Sequence, residues 1–366
     1  MSSRVVMHVD LDYFYAQCEE NKNYSIRGKP VVVCVYSGRT EESGAVSTCN
    51  YEARKYGVRA GIPIIRAKKL LEKTDPVFLP INRPLYEEVS GRIMNILRTY
   101  ADSFEQVGID EACLDISARA NGDFEHAQQM AQEIKNRIVR QENITCSIGI
   151  APNKLLAKIA SDYRKPDGLT NVVPENARSF LSDQPVSKIP GVGTKVEEKL
   201  TSLQAKTIRE LAAIEPAKLI EAFGKSLGSY LYNAARGEDE EPVKEREQPT
   251  QLSRIGTLKN NTREIAKILP TLNELSASVA QKLAQYGLAF RSVGVIAILE
   301  DLSIHSRSKT LDTATDDTNT IHELSAQLLK EFLQSTPKAV LRRVGVKLSD
   351  LSGKVGQTEL SQFLKE

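Results

Sequence analysis

The chain has 366 residues, 41% hydrophobic and 26% charged, with a formal net charge of +2. That length suits two to four compact units, the composition is ordinary for a soluble globular protein, and so small a charge makes no global case for nucleic acid, so any basic surface must be local. Five scattered cysteines (Cys18, Cys34, Cys49, Cys113, Cys146) without a C-x-x-C argue against a disulfide framework or zinc site, and the lack of a signal pattern or a bilayer-length apolar run points to an intracellular, cytoplasmic protein.

Residues 4–10 read as a buried strand within the run Val5-Val6-Met7-His8-Val9-Asp10-Leu11-Asp12, and Tyr13–Glu20 as the start of a helix. Pro30–Tyr36 reads as a strand. Ser43–Ser47 leads into a helix over Asn50–Tyr56, stopped by Gly57, on which Tyr51 and Arg54 are three apart and share a face. An arginine held there offers a planar fork suited to phosphate, though taken alone it is better read as a plain surface residue. A helix at 63–71, a short strand at 77–79 and a strongly periodic helix at 84–101 follow.

Residues 106–115, Gln-Val-Gly-Ile-Asp-Glu-Ala-Cys-Leu-Asp, place adjacent carboxylates, Asp110 and Glu111, between apolar neighbours. In an extended strand Ile109, Glu111 and Cys113 share one face and Asp110, Ala112 and Leu114 the other. A hairpin turn at Gly108-Ile109 loosens that rule and lets both acids reach one site. Paired acids on an apolar strand are costly unless a cation compensates them. A second strand ending at Asp10 beside this one makes an all-oxygen site of the kind that suits Mg²⁺. Singly, each acid would be an ordinary solvated turn residue; the conjunction is what raises the odds.

A helix at 123–140, a strand at 143–150, a helix opened by Pro152 and running through Asp162, and a basic turn, Lys165-Pro166-Asp167-Gly168, complete an α+β region with an antiparallel-rich sheet. From 172 the elements become short helices. Lys188-Ile189-Pro190-Gly191-Val192-Gly193-Thr194-Lys195, opening a helix to Leu203, has the form of a helix–hairpin–helix: Gly191 and Gly193 let the backbone approach a phosphate, and a helix N-terminus offers N–H groups to an anion. Phe223–Gly228 is a weaker turn of that kind. Residues 237–250, charged and proline-punctuated, read as a linker. Beyond it a strand (252–259), helix (262–286), two strands (290–300 and 303–311), helix (318–335) and strand (339–349) form a split βαβ sandwich. Its strands carry Arg254, Lys259, Arg291, Arg307, Lys309, Arg342, Arg343 and Lys347, a sheet face that could track a nucleic-acid backbone. In the tail Gln357, Leu360 and Phe363 fall where one helical turn would present them together to a pocket.

Four motifs carry a resemblance: Val9-Asp10-Leu11-Asp12-Tyr13-Phe14-Tyr15-Ala16-Gln17, Ser43-Gly44-Ala45 through Asn50-Tyr51-Glu52-Ala53-Arg54-Lys55, Ile109-Asp110-Glu111-Ala112, and Lys165-Pro166-Asp167-Gly168. Together they resemble the Y-family of translesion DNA polymerases, of the archaeal DNA polymerase IV type, and the resemblance covers nearly the whole chain. It implies an α+β multidomain right-hand polymerase: palm at 1–12 and 78–168, fingers at 13–77, helical thumb at 169–236, linker at 237–250, a split βαβ little finger at 251–350, and a tail at 351–366. It implies that Asp10, Asp110 and Glu111, with the Leu11 carbonyl, hold two Mg²⁺ ions. Tyr51, Arg54 and Lys165, assisted by Thr48 and the Tyr13-Phe14 backbone, would grip the triphosphate of a dNTP, and Tyr15 would exclude a ribose 2′-hydroxyl. Asp12 and Asp115 do not match ligand positions. Gly44 and Ala45 would roof the nascent pair loosely, giving low fidelity and tolerance of damaged templates. Gly191, Gly193, Lys195 and the sandwich arginines would contact primer–template DNA.

The tail resembles a sliding-clamp motif completed by Leu364, which stands where a second aromatic is usual. Gly108 replaces a serine common before Ile-Asp-Glu, and the linker is more acidic than is usual in the archaeal type. The expected protein is a monomeric DNA-directed DNA polymerase. The rivals are a DNA-binding accessory protein with a dead polymerase fold and a palm-like nucleotide cyclase. Retention of all three carboxylates with Tyr51, Arg54 and Lys165 speaks against the first, and the separate basic sandwich against the second.

Overall fold

The computed structural model describes residues 4–245 and 248–353, so the clamp motif (Gln357, Leu360, Phe363, Leu364) lies outside the described residues. The chain divides into two compact units, Met1–Val35 with Ala45–Arg246, and Tyr36–Gly44 with Glu247–Glu366. No helix among the described residues is long and apolar enough to cross a membrane.

In chain order the first elements are β1 (Val6–Leu11), α1 (Phe14–Lys22), β2 (Val31–Tyr36), β3 (Gly44–Cys49), α2 (Tyr51–Lys55), α3 (Ile64–Leu70), β4 (Val77–Pro80) and α4 (Arg83–Arg98). Next come β5 (Ser103–Gln106), β6 (Glu111–Asp115), α5 (Phe124–Glu142), β7 (Cys146–Ala151), α6 (Lys154–Ser161) and β8 (Leu169–Asn171). Five of the strands form a sheet in the order β5-β6-β1-β7-β8. The central strand β1 is buried along its whole length, because both of its faces are covered. Met7, Val9 and Leu11 join Ile93 and Leu97 of α4 and Ile134 and Ile138 of α5 in one core. Val6 and Cys113 face the other way, against Leu155 and Ile159 of α6. Each such side chain, fully buried, stabilises the sheet by about 1.5–3 kcal/mol.

Gly149 makes the approach of α6 possible. A Cβ there would stand 2.1 Å from the Ala157 carbonyl oxygen and 2.4 Å from the Ser161 nitrogen, so only glycine lets that helix lie so close to β7.

Two strands escape a reading of the sequence by pattern. Gly44–Cys49, expected as a lead-in to α2, is β3, paired in a three-stranded sheet of order β3-β2-β4 with Val46 and Cys49 turned inward. Its pattern of small and β-branched residues becomes a strand only through that pairing. Leu169–Asn171 is β8, three residues parallel to β7, too short to show a period.

The helices that follow, α7 (Ala177–Ser182), α8 (Thr194–Ser202), α9 (Ile208–Ala212), α10 (Pro216–Phe223) and α11 (Lys225–Ala234), surround Leu181, Leu200, Leu211, Leu219 and Leu231. The expected linker begins as something firmer. Through residue 245 it is held down: Asn153 donates to the Gly237 carbonyl, the Leu155 N–H donates to Asp239, Val243 is buried, and Lys154 and Arg98 pair with Glu241 and Glu245. Its acidity serves these basic partners, which lie over 80 residues earlier in the chain and are invisible to composition.

The second unit holds β9 (Gln251–Thr262), α12 (Ile265–Gln285), β10 (Leu288–Leu299), β11 (Ile304–Thr315), α13 (Thr318–Ser335) and β12 (Leu341–Gly353). Its antiparallel sheet runs β11-β10-β12-β9 with both helices contributing to one core. This is the split βαβ arrangement expected.

Candidate active site

The ends of β1 and β6 meet at the site. Asp10 lies directly opposite Glu111 in the antiparallel register, so both side chains leave the same face of the sheet. Asp110 precedes the strand, in a turn where the Val107 and Gly108 N–H groups both donate to the Glu111 carbonyl at 3.0 and 3.1 Å. The turn breaks the alternation. Ile109 packs with Ala112 and Leu114 rather than with Cys113, and Asp110 and Glu111 reach one cavity.

That cavity, about 360 Å³, is lined by Asp10, Leu11, Tyr13, Phe14, Tyr15, Ser47, Thr48, Tyr51, Arg54, Asp110, Glu111 and Lys165. It gathers the residues expected to hold metal and nucleotide, and Ser47 besides. Gly44 and Ala45 open β3 and are not among the lining residues.

Neighbouring elements hold each wall. Tyr13 sits at φ 36°, ψ 42° as the N-cap of α1, a left-handed conformation uncommon for a non-glycine residue. It turns the chain sharply from β1 into α1, whose first N–H groups have no helical acceptor. The Tyr15 ring stacks on Tyr86 at 4.2 Å and 11°, and Tyr86, fully buried in α4, donates to Glu19. The Arg54 guanidinium lies 4.5 Å above the Tyr51 ring while its Nε donates to the Cys49 carbonyl. Asp12 is engaged otherwise: it accepts from Ser147 Oγ and from the Asp167 N–H, and so steadies the turn that presents Lys165. Asp115 accepts from Ser117.

Two lysines bind the carboxylates. Lys165 Nζ is 2.6 Å from Asp10 Oδ1 and 2.8 Å from Asp162 Oδ1. Lys158 Nζ, from α6, is 2.6 Å from Glu111 Oε1 and 3.2 Å from Asp10 Oδ2. His8, buried beneath, meets Ser161 Oγ through Nδ1 at 2.9 Å and stands 3.7 Å from Glu111 through Nε2. Sequence reasoning missed Lys158, Asp162, His8 and Tyr86. In the sequence they are ordinary helix, strand and turn residues; the partners of Lys158, His8 and Tyr86 lie far along the chain, and among the described residues Asp162 meets only neighbouring lysines, Lys158 and Lys165.

The electrostatics follow. Burial raises the Asp10 carboxyl against the pull of Lys165 and Lys158. Burial, then the charges of Asp10 and Glu111, raises Asp110 to about 6. His8 and Lys158 hold Glu111 well below the usual carboxylate range. Among the described residues no three His, Cys, Asp or Glu side chains converge on a ready-made metal pocket; the lysines hold two of these acids. The donor set nevertheless fits a hard divalent cation: every candidate ligand is an oxygen, and Asp110 is destabilised by negative charge that a cation would relieve.

The candidate DNA-contacting residues divide. Gly191, at φ +84°, and Gly193, the N-cap of α8, lie exposed with Lys195 beside them. In the second unit the basic residues do not share one sheet face. Arg254 pairs across from Val346, Arg307 from Val295 and Lys309 from Val293, and these valines belong to the helix-side core. Arg307 accordingly donates to Ser335 at the end of α13. Lys347, opposite Ser253 and Gly294, and Arg343, opposite Thr257 and Ile298, lie on the open face. Arg291 falls at an irregularity of the β10–β11 register and Arg342 at one of the β12–β9 register. A strand reverses its side chains at each residue, and these register positions are not readable without the pairing.

Comparison with known proteins gives concordant matches. The impB/mucB/samB family model matches residues 9–162, its C-terminal domain matches 249–361, and a DNA polymerase-iota thumb domain model matches 187–239. The chain is 46% identical to DNA polymerase IV of Methanosarcina acetivorans, over 99% of this chain and 100% of that protein. It is 44% identical to DNA polymerase IV of Nitrosopumilus maritimus at the same coverage. Among solved structures it resembles a Y-family DNA polymerase chimera, with TM-score 0.90 and 39% identity over 95% of this chain and 99% of that one. It also resembles an insertion ternary complex of Dbh DNA polymerase, with TM-score 0.68 and 39% identity over 94% and 98%.

Proposed function

Because the chain belongs to the Y-family of DNA polymerases, alongside archaeal DNA polymerase IV, we propose that its cavity performs template-directed nucleotidyl transfer on primer–template DNA with damaged bases tolerated. It is a DNA-directed DNA polymerase and a metal-dependent nucleotidyltransferase of right-hand architecture. The observation that carries the detailed reading is a single cavity lined by Asp10, Asp110 and Glu111 together with Tyr51, Arg54 and Lys165.

In this reading Asp10, Asp110, Glu111 and the Leu11 carbonyl hold two Mg²⁺ ions. Bound there, two divalent ions supply charge that stabilises the attacking and leaving oxygens of an in-line displacement. The protein's own work is positioning. Arg54, set over Tyr51 and tied to the Cys49 carbonyl, presents a planar fork to the triphosphate. Lys165 reaches the same anion from the turn that Asp12 steadies. Thr48 and the Tyr13-Phe14 backbone complete the cradle. Tyr15, braced by Tyr86, lies under the sugar and crowds a 2′-hydroxyl. Gly44 and Ala45 roof the pair with little bulk, which weakens the check on pair shape. The division into palm, fingers, thumb and little finger follows the ranges given above, with Gly191, Gly193, Lys195 and the open-face Arg343 and Lys347 of the sandwich on the DNA backbone. The tail engages a sliding clamp, and the enzyme acts as a monomer in the cytoplasm.

The test is extension of a primed template with Mg²⁺ and four dNTPs, on undamaged DNA and across an abasic site. Extension past the lesion is expected, with Asp110→Ala lowering the rate about 100-fold or more while DNA binding persists. Unchanged extension by that variant would refute the metal assignment. DNA binding without extension on either template favours the accessory-protein reading.

A further inference from the structure

Lys158 is bound to two of the reacting site's acids yet does not line the cavity that holds Tyr51, Arg54 and Lys165. It borders a second cavity of about 390 Å³ with His8, Cys113 and Glu111. Its ammonium bridges Asp10 Oδ2 and Glu111 Oε1, one oxygen from each of two candidate metal ligands. We propose that Lys158 is an internal competitor for divalent metal: its ammonium and a metal ion contend for the same carboxylates, and this lysine sets how tightly the site takes up metal. The inference rests on the metal-site reading above.

A magnesium ion accepts oxygens at about 2.0–2.1 Å and gives up its waters reluctantly. An ammonium hydrogen-bonded to the same oxygens places a like charge beside it in a half-dry site, where such repulsion is poorly screened. The two cations therefore exclude each other unless the lysine moves. An alternative partner stands ready. Asp162, one turn on in the chain, has Oδ2 3.8 Å from Lys158 Nζ, and a flexible four-carbon stem covers such a shift without the charge becoming unpaired.

Lys165 is placed differently. It takes the other oxygen of Asp10 and the other oxygen of Asp162, and it lines the nucleotide cavity, so an arriving triphosphate gives it a new partner. Lys158 has no partner of that kind in the cavity. Its position makes it a gatekeeper for the metal itself.

A merely structural bridge behaves in the opposite way. If Lys158 only held the acids in place, its loss would loosen the ligand set, and metal binding would weaken or stay the same.

The test is Mn²⁺ binding to the full chain, without DNA or nucleotide, measured from free Mn²⁺ by electron paramagnetic resonance. Lys158→Met is expected to tighten binding about fivefold or more, and Lys158→Arg, which keeps the charge, to stay near wild type. Equal or weaker binding by Lys158→Met overturns the proposal. If wild type and Asp110→Ala bind alike, the metal-site reading fails instead. Should Lys158→Met not fold, amine acylation of wild-type Lys158, followed by mass spectrometry, decides. Mn²⁺ at matched ionic strength is expected to raise the labelling rate, and an unchanged rate overturns the proposal.

Discussion

Asp110 holds its charge at a cost to the fold. Burial and the nearby charges of Asp10 and Glu111 raise its carboxyl to about 6, from an ordinary value of 3.8. A carboxyl raised on folding binds its proton more tightly in the folded state. Folding is therefore penalised as pH rises from 3.8 toward 6, and the full penalty persists above that. A rise of that size corresponds to about 3 kcal/mol, less whatever solvent screening removes. Asp110→Asn should therefore raise the unfolding free energy by about 1–3 kcal/mol at pH 7.5 in chelator, with the gain vanishing below pH 4. A denaturant series at both pH values reads this directly. A destabilised variant at pH 7.5 would show that the carboxylate is compensated in the fold. The pair Asp110-Glu111 stands out in the sequence because acids on an apolar strand demand an explanation. Lys158 and Tyr86 do not stand out, because a lysine and a tyrosine on helices are unremarkable until their distant partners are known, and among the described residues Asp162 pairs only with lysines one turn away, as many surface aspartates do.

At the scale of elements, periodicity locates the long helices and the β-α-β-β-α-β order, since both depend on local pattern. It fails at β3 and β8, whose strand character comes from neighbours, and at residues 237–245, which dock through ion pairs and one buried valine. It also fails to sort the cations of the second sheet. Register puts Arg343 and Lys347 on the open face, where the Lys347 stem passes 3.5 Å from the position a Gly294 Cβ would take. Arg254 lies on the helix side. If the open face follows phosphates, Arg343→Ala with Lys347→Ala should weaken DNA binding across sequences and reduce the salt slope, log Kd against log salt, by about 1.8, or 0.9 for each lost contact. Arg254→Ala should leave the slope unchanged. Fluorescence anisotropy on a primed duplex between about 50 and 200 mM salt measures it. Equal slopes for the double variant and wild type would remove the open face from the DNA interface.

For the whole molecule, 49 basic residues against 47 acidic ones leave little net attraction to a polyanion. Affinity for DNA then rests on local surfaces, and long-range attraction is screened within about 8–10 Å at ordinary salt. A polymerase held this lightly gains most from a partner that keeps it near the primer end, because tethering replaces a bimolecular search with a high effective concentration. The pattern Gln357, Leu360, Phe363, Leu364 supplies such a tether in the proposed function, with leucine where a second aromatic is usual. Deleting residues 354–366 should leave unassisted extension of a primed template within about twofold of wild type, since among the described residues the cores that position the cavity are built from residues between Val5 and Val243. With a ring clamp loaded on the template, the full chain should extend further per binding event and the truncated chain should not. Restoring an aromatic at the last position, Leu364→Phe, should strengthen the clamp's effect by adding buried area to a pocket contact. Stimulation that survives the deletion would place the clamp contact elsewhere on the chain.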